Sequence, residues 1–203
     1  MNFRFKKAEL GIFNTAVSDD VVRKLDKNSR ILGLSRGKFS LIDLIRSILK
    51  KTGKAHIICT TWSAGIKDAH QIEWLINSKA ISSFKLITDH SYKTRQKKYA
   101  VTLENLFGVE NIRTSEIHAK FVLIHNEDWK VCIRTSMNLN ANKTCESFEI
   151  DEDEDIFNFY FDFIEHTFET MPKGFTTSSF KANKSLDLFF NTNSNSIKGW
   201  NEI

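Results

Sequence analysis

The chain has 203 residues, of which 41% are hydrophobic and 27% charged, as is typical of a soluble globular protein of about one domain. One proline and eight glycines exclude collagen-like and proline-rich architectures, while seventeen phenylalanines supply large core side chains. No apolar run approaches the roughly 18 residues of a membrane span, and the charged start MNFRFKKAEL is unlike a signal peptide. We therefore expect a cytoplasmic protein that does not associate with membranes.

The charge is unevenly distributed along the chain. Residues 1–150 carry 25 Lys and Arg against 15 Asp and Glu, whereas residues 151–203 carry 4 against 10. A basic body of this kind is typical of proteins that bind nucleic acid, although it also occurs on solvated surfaces that have no partner.

The first half of the chain shows an alternation of helix and strand patterns. Residues 41–49 have the spacing of an amphipathic helix, and residues 55–61 form a short β-rich apolar run. A helix beginning at Ile66, a strand over 84–89 and a helix over 94–107 follow. This order predicts an α/β fold with a largely parallel sheet.

The second half predicts a hairpin, a helix and a tail. Two apolar runs flank residues 125–129 and predict a β-hairpin closed around them. The acidic residues 151–155 are interpreted as the start of a helix that continues through 156–168, because negative charge is favourable at a helix N-terminus. We expect residues 1–175 to form the domain and the Ser/Asn-rich residues 176–203 to be a loosely docked or disordered tail.

Four polar residues lie at the two ends of the predicted hairpin in the sequence, two before it and two after it. His118 and Lys120 are two apart at the expected start of one strand, and Ser136 and Asn138 are two apart at the end of the other. Residues two apart on a strand share a face, so the hairpin brings both pairs to one edge of the sheet. A neutral imidazole can attack phosphorus, while an ammonium and a carboxamide donate to the phosphate oxygens. The set suits phosphodiester chemistry that needs no metal.

These residues resemble the signature of the phospholipase D superfamily, H-x-K, four residues, D, six residues, G-S-x-N and a later Glu. His118-Ala119-Lys120 matches the first part, Thr135-Ser136-Met137-Asn138 the second with Thr for Gly, and Glu149 stands at the place of the Glu. The Asp of the signature is either replaced by His125 or displaced to Asp128. The resemblance covers residues 40–170.

The resemblance implies a phospholipase D-like α/β fold, with a mixed, mainly parallel sheet flanked by helices on both faces. It also implies a phosphohistidine intermediate on His118, with the phosphate held by Lys120 and Asn138 and supported by Ser136, and with Glu149 holding the imidazole tautomer. Because family members combine two motifs and this chain has one, the resemblance implies a homodimer that places two His118 rings at a shared centre. It implies neither a metal nor another cofactor.

Other candidates are less specific. The turn containing Trp62 and Ser63 follows a strand, and loops at this position border ligand sites in α/β sheets. The segment Thr61–Gly65 also resembles the nucleophile turn of serine hydrolases, but the first glycine of that motif is missing. The candidate substrate-binding residues are Trp62, Ser63, Arg36, Lys38, Arg95 and Lys97. The three cysteines, Cys59, Cys132 and Cys145, form no CxxC pair and are interpreted as reduced, mostly buried thiols.

Two classes of function fit these observations. The first is a metal-independent phosphodiesterase, a nuclease acting on DNA or RNA. The second is a protein of the same fold whose altered motif has lost activity and which binds nucleic acid or serves as an assembly module.

Overall fold

Eight strands form one continuous sheet in the computed structural model, which describes residues 8–13, 17–141, 143–176 and 179–193. The strands are β1 (Ala8–Phe13), β2 (Arg30–Ser35), β3 (Ala55–Thr61), β4 (Ile81–Asp89), β5 (Ile112–Ser115), β6 (Phe121–His125), β7 (Lys130–Thr135) and β8 (Glu146–Glu152). Their order across the sheet is β1-β2-β8-β7-β6-β3-β4-β5.

The sheet is mixed, as the sequence predicts, but parallel pairs are in the minority. Among the described strands, β1–β2, β3–β4 and β4–β5 are parallel, whereas β3–β6, β6–β7, β7–β8 and β8–β2 are antiparallel. The predicted hairpin is the reason. It pairs with β3 on one side and β8 on the other, so antiparallel strands fill the middle of the sheet.

Helices cover both faces of the sheet, which confirms the predicted fold class. They are α1 (Asp19–Val22), α2 (Leu41–Thr52), α3 (Ile66–Asn77), α4 (Tyr92–Arg95), α5 (Lys97–Phe107), α6 (Glu154–Thr170) and α7 (Ser179–Asn193), with a 3₁₀ turn at Val109–Asn111. A capping box starts α2, because the Ser40 backbone N–H donates to Asp43 Oδ2 at 2.8 Å.

Alternating residues of the central strands point into two separate cores. Ile57 and Cys59 of β3 belong to the larger core, which contains apolar residues of α1, α2, α3 and α5. Ile58 of β3 belongs to the smaller core beneath α6, together with Leu123 of β6. Each strand therefore buries both faces, as its nearly continuous apolar sequence requires.

Three segments differ from the sequence interpretation. No strand was predicted before residue 41, yet β1 and β2 form one edge of the sheet. Asp151 and Glu152 end β8 rather than begin a helix, and the helix cap is Asp153, whose Oδ1 accepts from the Ile156 N–H at 3.0 Å. Residues 179–193, expected within the tail, form α7, and the His166 ring of α6 donates to the Ser185 carbonyl at 2.8 Å. The remainder of that tail, 194–203, lies outside the described residues.

The three cysteines are free thiols, of which Cys59 and Cys132 are buried and Cys145 is exposed. Burial raises the pKa of both buried thiols to about 12, so neither is a nucleophile near neutral pH. None of the helices described above combines the length and apolar character that crossing a membrane requires.

Candidate active site

The register of the central strands brings several loops to one edge of the sheet. Thr60 of β3 lies opposite Phe121 of β6, and Phe121 lies opposite Arg134 of β7. At the same edge, Ser35 of β2 lies opposite Glu146 of β8. The end of β3, the start of β6, the end of β7 and the start of β8 therefore meet here, and they carry most of the predicted site residues.

His118 and Lys120 precede β6 rather than lie on it. The expectation that the strand contains them is wrong, because the strand begins at Phe121. They nevertheless lie together: Lys120 Nζ donates to the His118 carbonyl at 2.9 Å and is 3.5 Å from His118 Nδ1. The His118 ring is exposed at the edge.

Lys120 is partly buried at the base of the hairpin, immediately before β6. The Thr135 backbone N–H donates to the Lys120 carbonyl at 3.0 Å, so the base of the hairpin fixes the lysine backbone. Burial lowers the pKa of Lys120 below its ordinary value, and the carboxylate of Glu146 opposes this shift. The ammonium is thus held at the site by backbone contacts beside a carboxylate.

Asn138 is oriented by the loop that follows β3. Its Oδ1 accepts from the Ser63 backbone N–H at 3.2 Å and lies 3.3 Å from the Thr61 hydroxyl. The Leu139 N–H in turn donates to Thr61 Oγ1 at 3.0 Å. Because the carboxamide oxygen faces these donors, the Asn138 NH₂ group faces away from them and can donate to a ligand.

Ser136 contacts a carboxylate that the sequence analysis did not single out. Its hydroxyl bonds to Glu146 and accepts from the Ser147 N–H at 3.0 Å. Glu149, predicted to hold His118, forms an ion pair with Arg134, the residue directly opposite it on β7. The cross-strand arginine therefore holds that carboxylate, and the role of Glu149 toward the imidazole stays a prediction. Sequence reasoning missed Glu146, since the motif spacing pointed three residues further on.

Trp62 joins His118 at the site and brings Arg95 with it. The Trp62 and His118 ring centroids are 5.8 Å apart with an interplanar angle of 55°. The Arg95 guanidinium carbon lies 3.7 Å from the centroid of the indole, and its Nη2 donates to the Trp62 carbonyl at 2.9 Å. Two predicted substrate-binding side chains therefore lie beside the predicted nucleophile.

The other predicted cations lie further out. Arg36 and Lys38 are exposed on the loop after β2, and Gly37 between them packs on the backbone of Lys143, so this loop reaches the same edge. Its φ of +65° is a conformation that favours glycine. Lys97 is exposed at the first residue of α5.

His125 and Asp128, the two candidates for the family Asp, lie at the opposite end of the hairpin. Asp128 is exposed in the turn, where its N–H donates to Asn126 Oδ1 at 3.0 Å. His125 is half-buried and stacked on His56, with ring centroids 5.1 Å apart. Neither lies at the edge that carries His118.

The arrangement of charges and donors defines what the edge can bind. An exposed imidazole, an ammonium and a carboxamide NH₂ group lie at the ends of neighbouring strands, and a guanidinium lies beyond the indole. These groups are donors or cations suited to a phosphate. Within the described residues, no group of three or more His, Cys, Asp or Glu side chains is placed to hold a metal ion.

Proteins of known structure share this architecture. Nuc from Salmonella typhimurium, a phospholipase D family member, matches with a TM-score of 0.51 at 11% sequence identity over 71% of this chain and 97% of Nuc. NucT from Helicobacter pylori matches with a TM-score of 0.51 at 12% identity over 71% of this chain and 99% of NucT. Polyphosphate kinase from Porphyromonas gingivalis matches with a TM-score of 0.52 at 14% identity, over 73% of this chain and 26% of that protein.

No protein-family model matches the sequence, and no curated protein matches it significantly. At identities of 11–14% the likeness establishes the fold, and it confirms that the chain has the phospholipase D-like architecture.

Proposed function

We propose that this chain is a metal-independent phosphodiesterase that cleaves nucleic acid through a phosphohistidine on His118. The observation that carries the proposal is the meeting of His118, Lys120 and Asn138 at one edge of a phospholipase D-like sheet. The three residues come from loops on either side of the hairpin, and each has a functional atom free to face a ligand.

The imidazole is the nucleophile. The unprotonated ring nitrogen attacks phosphorus, forming a P–N bond as the P–O ester bond breaks. The leaving oxygen takes a proton from a second imidazole. Water then attacks the phosphohistidine, gives its proton to that second imidazole, and releases His118.

Lys120 and Asn138 stabilise the charge that develops on phosphorus. Each can donate a hydrogen bond to a non-bridging oxygen, and donors fixed before the reaction need no reorganisation during it. Ser136 supports the phosphate site, and its hydroxyl is held by Glu146. Ser63 contributes through its backbone N–H, which orients Asn138.

Nucleic acid is the substrate class that the charge distribution favours. The excess of ten basic residues within 1–150 suits a polyanion. Arg95 at the end of α4, and Arg36 and Lys38 on the loop after β2, lie at or near the site edge, where they can contact neighbouring phosphates. Lys97 extends this basic surface along α5.

The test of the reaction is cleavage of labelled DNA and RNA, single- and double-stranded, in EDTA-containing buffer. We expect cleavage by the unmodified chain, and its loss in His118→Asn with nucleic-acid binding retained. His70→Asn, which changes an exposed histidine on α3, is the matched control and should retain cleavage. If the unmodified chain binds nucleic acid but never cleaves it, the protein is the binding module that its altered motif allows.

We further propose that the site is completed by a second copy of this chain, because one chain supplies one H-x-K motif. Mixing the unmodified chain with His118→Asn and letting the subunits exchange tests this. If both imidazoles are needed, an equal mixture retains about one quarter of the activity, since only about one dimer in four has two histidines. Retention of about one half, or a monomer by light scattering, would refute the shared site.

A further inference from the structure

The His118 ring is in contact with an indole at the place where a carboxylate was expected. Glu149 is held by Arg134, whereas the Trp62 ring centroid lies 5.8 Å from that of His118 at an angle of 55°. A tilted ring pair at this separation is a favourable aromatic contact. The His118 side chain is exposed overall, so the indole and the Lys120 ammonium 3.5 Å from Nδ1 are the contacts that restrain its rotation.

The indole itself is held firmly by Arg95. The guanidinium carbon lies 3.7 Å from the Trp62 centroid, and Nη2 donates to the Trp62 carbonyl at 2.9 Å. Arg95 Nε also donates to Ser91 Oγ at 2.9 Å. Ser91 is in turn bound by the buried Asp89, whose Oδ1 accepts from the Ser91 N–H at 2.9 Å. A chain of contacts thus connects the end of β4 to the indole.

The backbone on the other side of Trp62 is also fixed. The next residue, Ser63, donates its N–H to Asn138, and the Gly65 N–H donates to the Leu139 carbonyl at 2.7 Å. The loop after β3 is therefore tied to the loop after β7. Arg95 of α4, Asn138 and Leu139 therefore fix the position of the indole, which does not depend on its own side-chain rotamer alone.

We propose that Trp62 is a positioning residue for His118, holding the imidazole at the angle that attack on phosphorus requires. The proposal rests on the proposed function and deepens it, because it gives Trp62 a role in the chemical step in place of the substrate contact expected from the sequence. The guanidinium over the indole supports this role, since the ring face that it covers is closed to a stacking nucleobase.

The kinetic signature of positioning differs from that of substrate binding. A nucleophile displaced by about 1 Å can lose about 100-fold in rate, and a group acting only in the chemical step changes kcat rather than KM. For Trp62→Ala we expect kcat to fall about 10- to 100-fold with KM nearly unchanged. Trp62→Phe keeps a ring for both His118 and Arg95, and we expect it to restore most of the rate.

The matched control is Trp74→Ala, which removes an exposed indole from α3 and should leave kcat and KM unchanged. A rise in KM with unchanged kcat in Trp62→Ala would overturn the proposal and make Trp62 a substrate-stacking residue. Equal activity of Trp62→Ala and Trp62→Phe would also overturn it, because the aromatic ring would then have no role.

A second measurement does not depend on activity. The ring-current field of the indole should displace the His118 Hε1 resonance, assigned by its loss in His118→Asn, and Trp62→Ala should move it toward the position of an exposed histidine. If that resonance does not move, the proposal fails even if the enzyme cleaves nucleic acid. If the unmodified chain cleaves nothing, the proposed function fails, and the resonance alone then decides whether Trp62 positions the imidazole.

Discussion

Asp151 offers the sharpest test of how the sheet supports the site. Its carboxylate is fully buried, and it accepts from Arg134 Nη2 at 2.6 Å and from Arg30 Nε. Arg134 immediately precedes Thr135 and Ser136, so this ion pair holds the strand from which the site loop leaves. Removing one partner of a buried pair leaves charge without compensation, at a cost of about 3–5 kcal/mol.

The exposure of the two arginines lowers that figure. The Arg30 side chain is 34% exposed and the Arg134 side chain 31% exposed, so water and Glu149 can partly replace the lost carboxylate. We therefore expect Asp151→Ala to lower the free energy of unfolding by about 2–4 kcal/mol. Asp151→Asn keeps the shape and an acceptor oxygen and should cost about half as much.

Urea denaturation, followed by the signal of the buried aromatic residues, measures these differences. Asp162→Asn, which changes an exposed aspartate on α6, is the control and should change stability by less than about 0.5 kcal/mol. If Asp151→Ala is no less stable than this control, the carboxylate is not compensating the arginines and the reasoning is wrong.

Three further predictions follow from the same structure. Burial lowers the pKa of His125 below its ordinary 6.5, so as the pH falls this histidine is protonated first in the unfolded chain, and the free energy of unfolding decreases below about pH 6.5. His125→Gln should reduce this loss of stability, as measured by urea denaturation at pH 7 and pH 5. The control His70→Gln should not reduce it. Gly33→Ala should cost about 1–3 kcal/mol, because a methyl group there would collide with the buried ring of Phe148. Arg95→Ala should flatten the salt dependence of nucleic-acid binding by about 0.7–0.9 in slope, provided that it contacts one phosphate.

The central part of the fold was predictable because local patterns decided it. The apolar run 55–61 coincides with the bounds of β3, and the helical spacing of apolar residues after Ile66 coincides with α3. The hairpin closes where expected, since Asn126 N–H bonds to the Trp129 carbonyl at 3.1 Å. These elements carry enough apolar residues in the right period to be identified without knowledge of their neighbours.

The first two strands were not predictable in the same way. Each contains a glycine, Gly11 in β1 and Gly33 in β2, a residue that normally weakens a strand. Both lie in register beside each other, and rings of Phe13 and Phe148 fill the space that their missing side chains leave. Gly33 is therefore accommodated by aromatic residues distant in sequence, Phe13 and Phe148, a contact that no local pattern reveals.

The carboxylate that bonds to Ser136 was not predicted, for a similar reason. Counting residues from Ser136 leads to Glu149, but strand register, not residue count, decides which side chains meet. On β8, Glu149 faces Arg134, whereas Glu146 stands at the strand start beside Ser136. The signal available in the sequence was the pair of opposite charges, which is favourable directly across antiparallel strands.

The two polar pairs meet for a different reason from the one that predicted them. Spacing by two residues places side chains on one face only within a strand, and all four residues lie beyond strand ends. What aligns them is hydrogen bonding between the loops: Thr135 to Lys120, Ser63 to Asn138, and Lys120 back to the His118 carbonyl. Such loops can move their side chains relative to one another while the sheet stays fixed. Contacts that tie the loops together, the indole of Trp62 among them, therefore determine the geometry of the site.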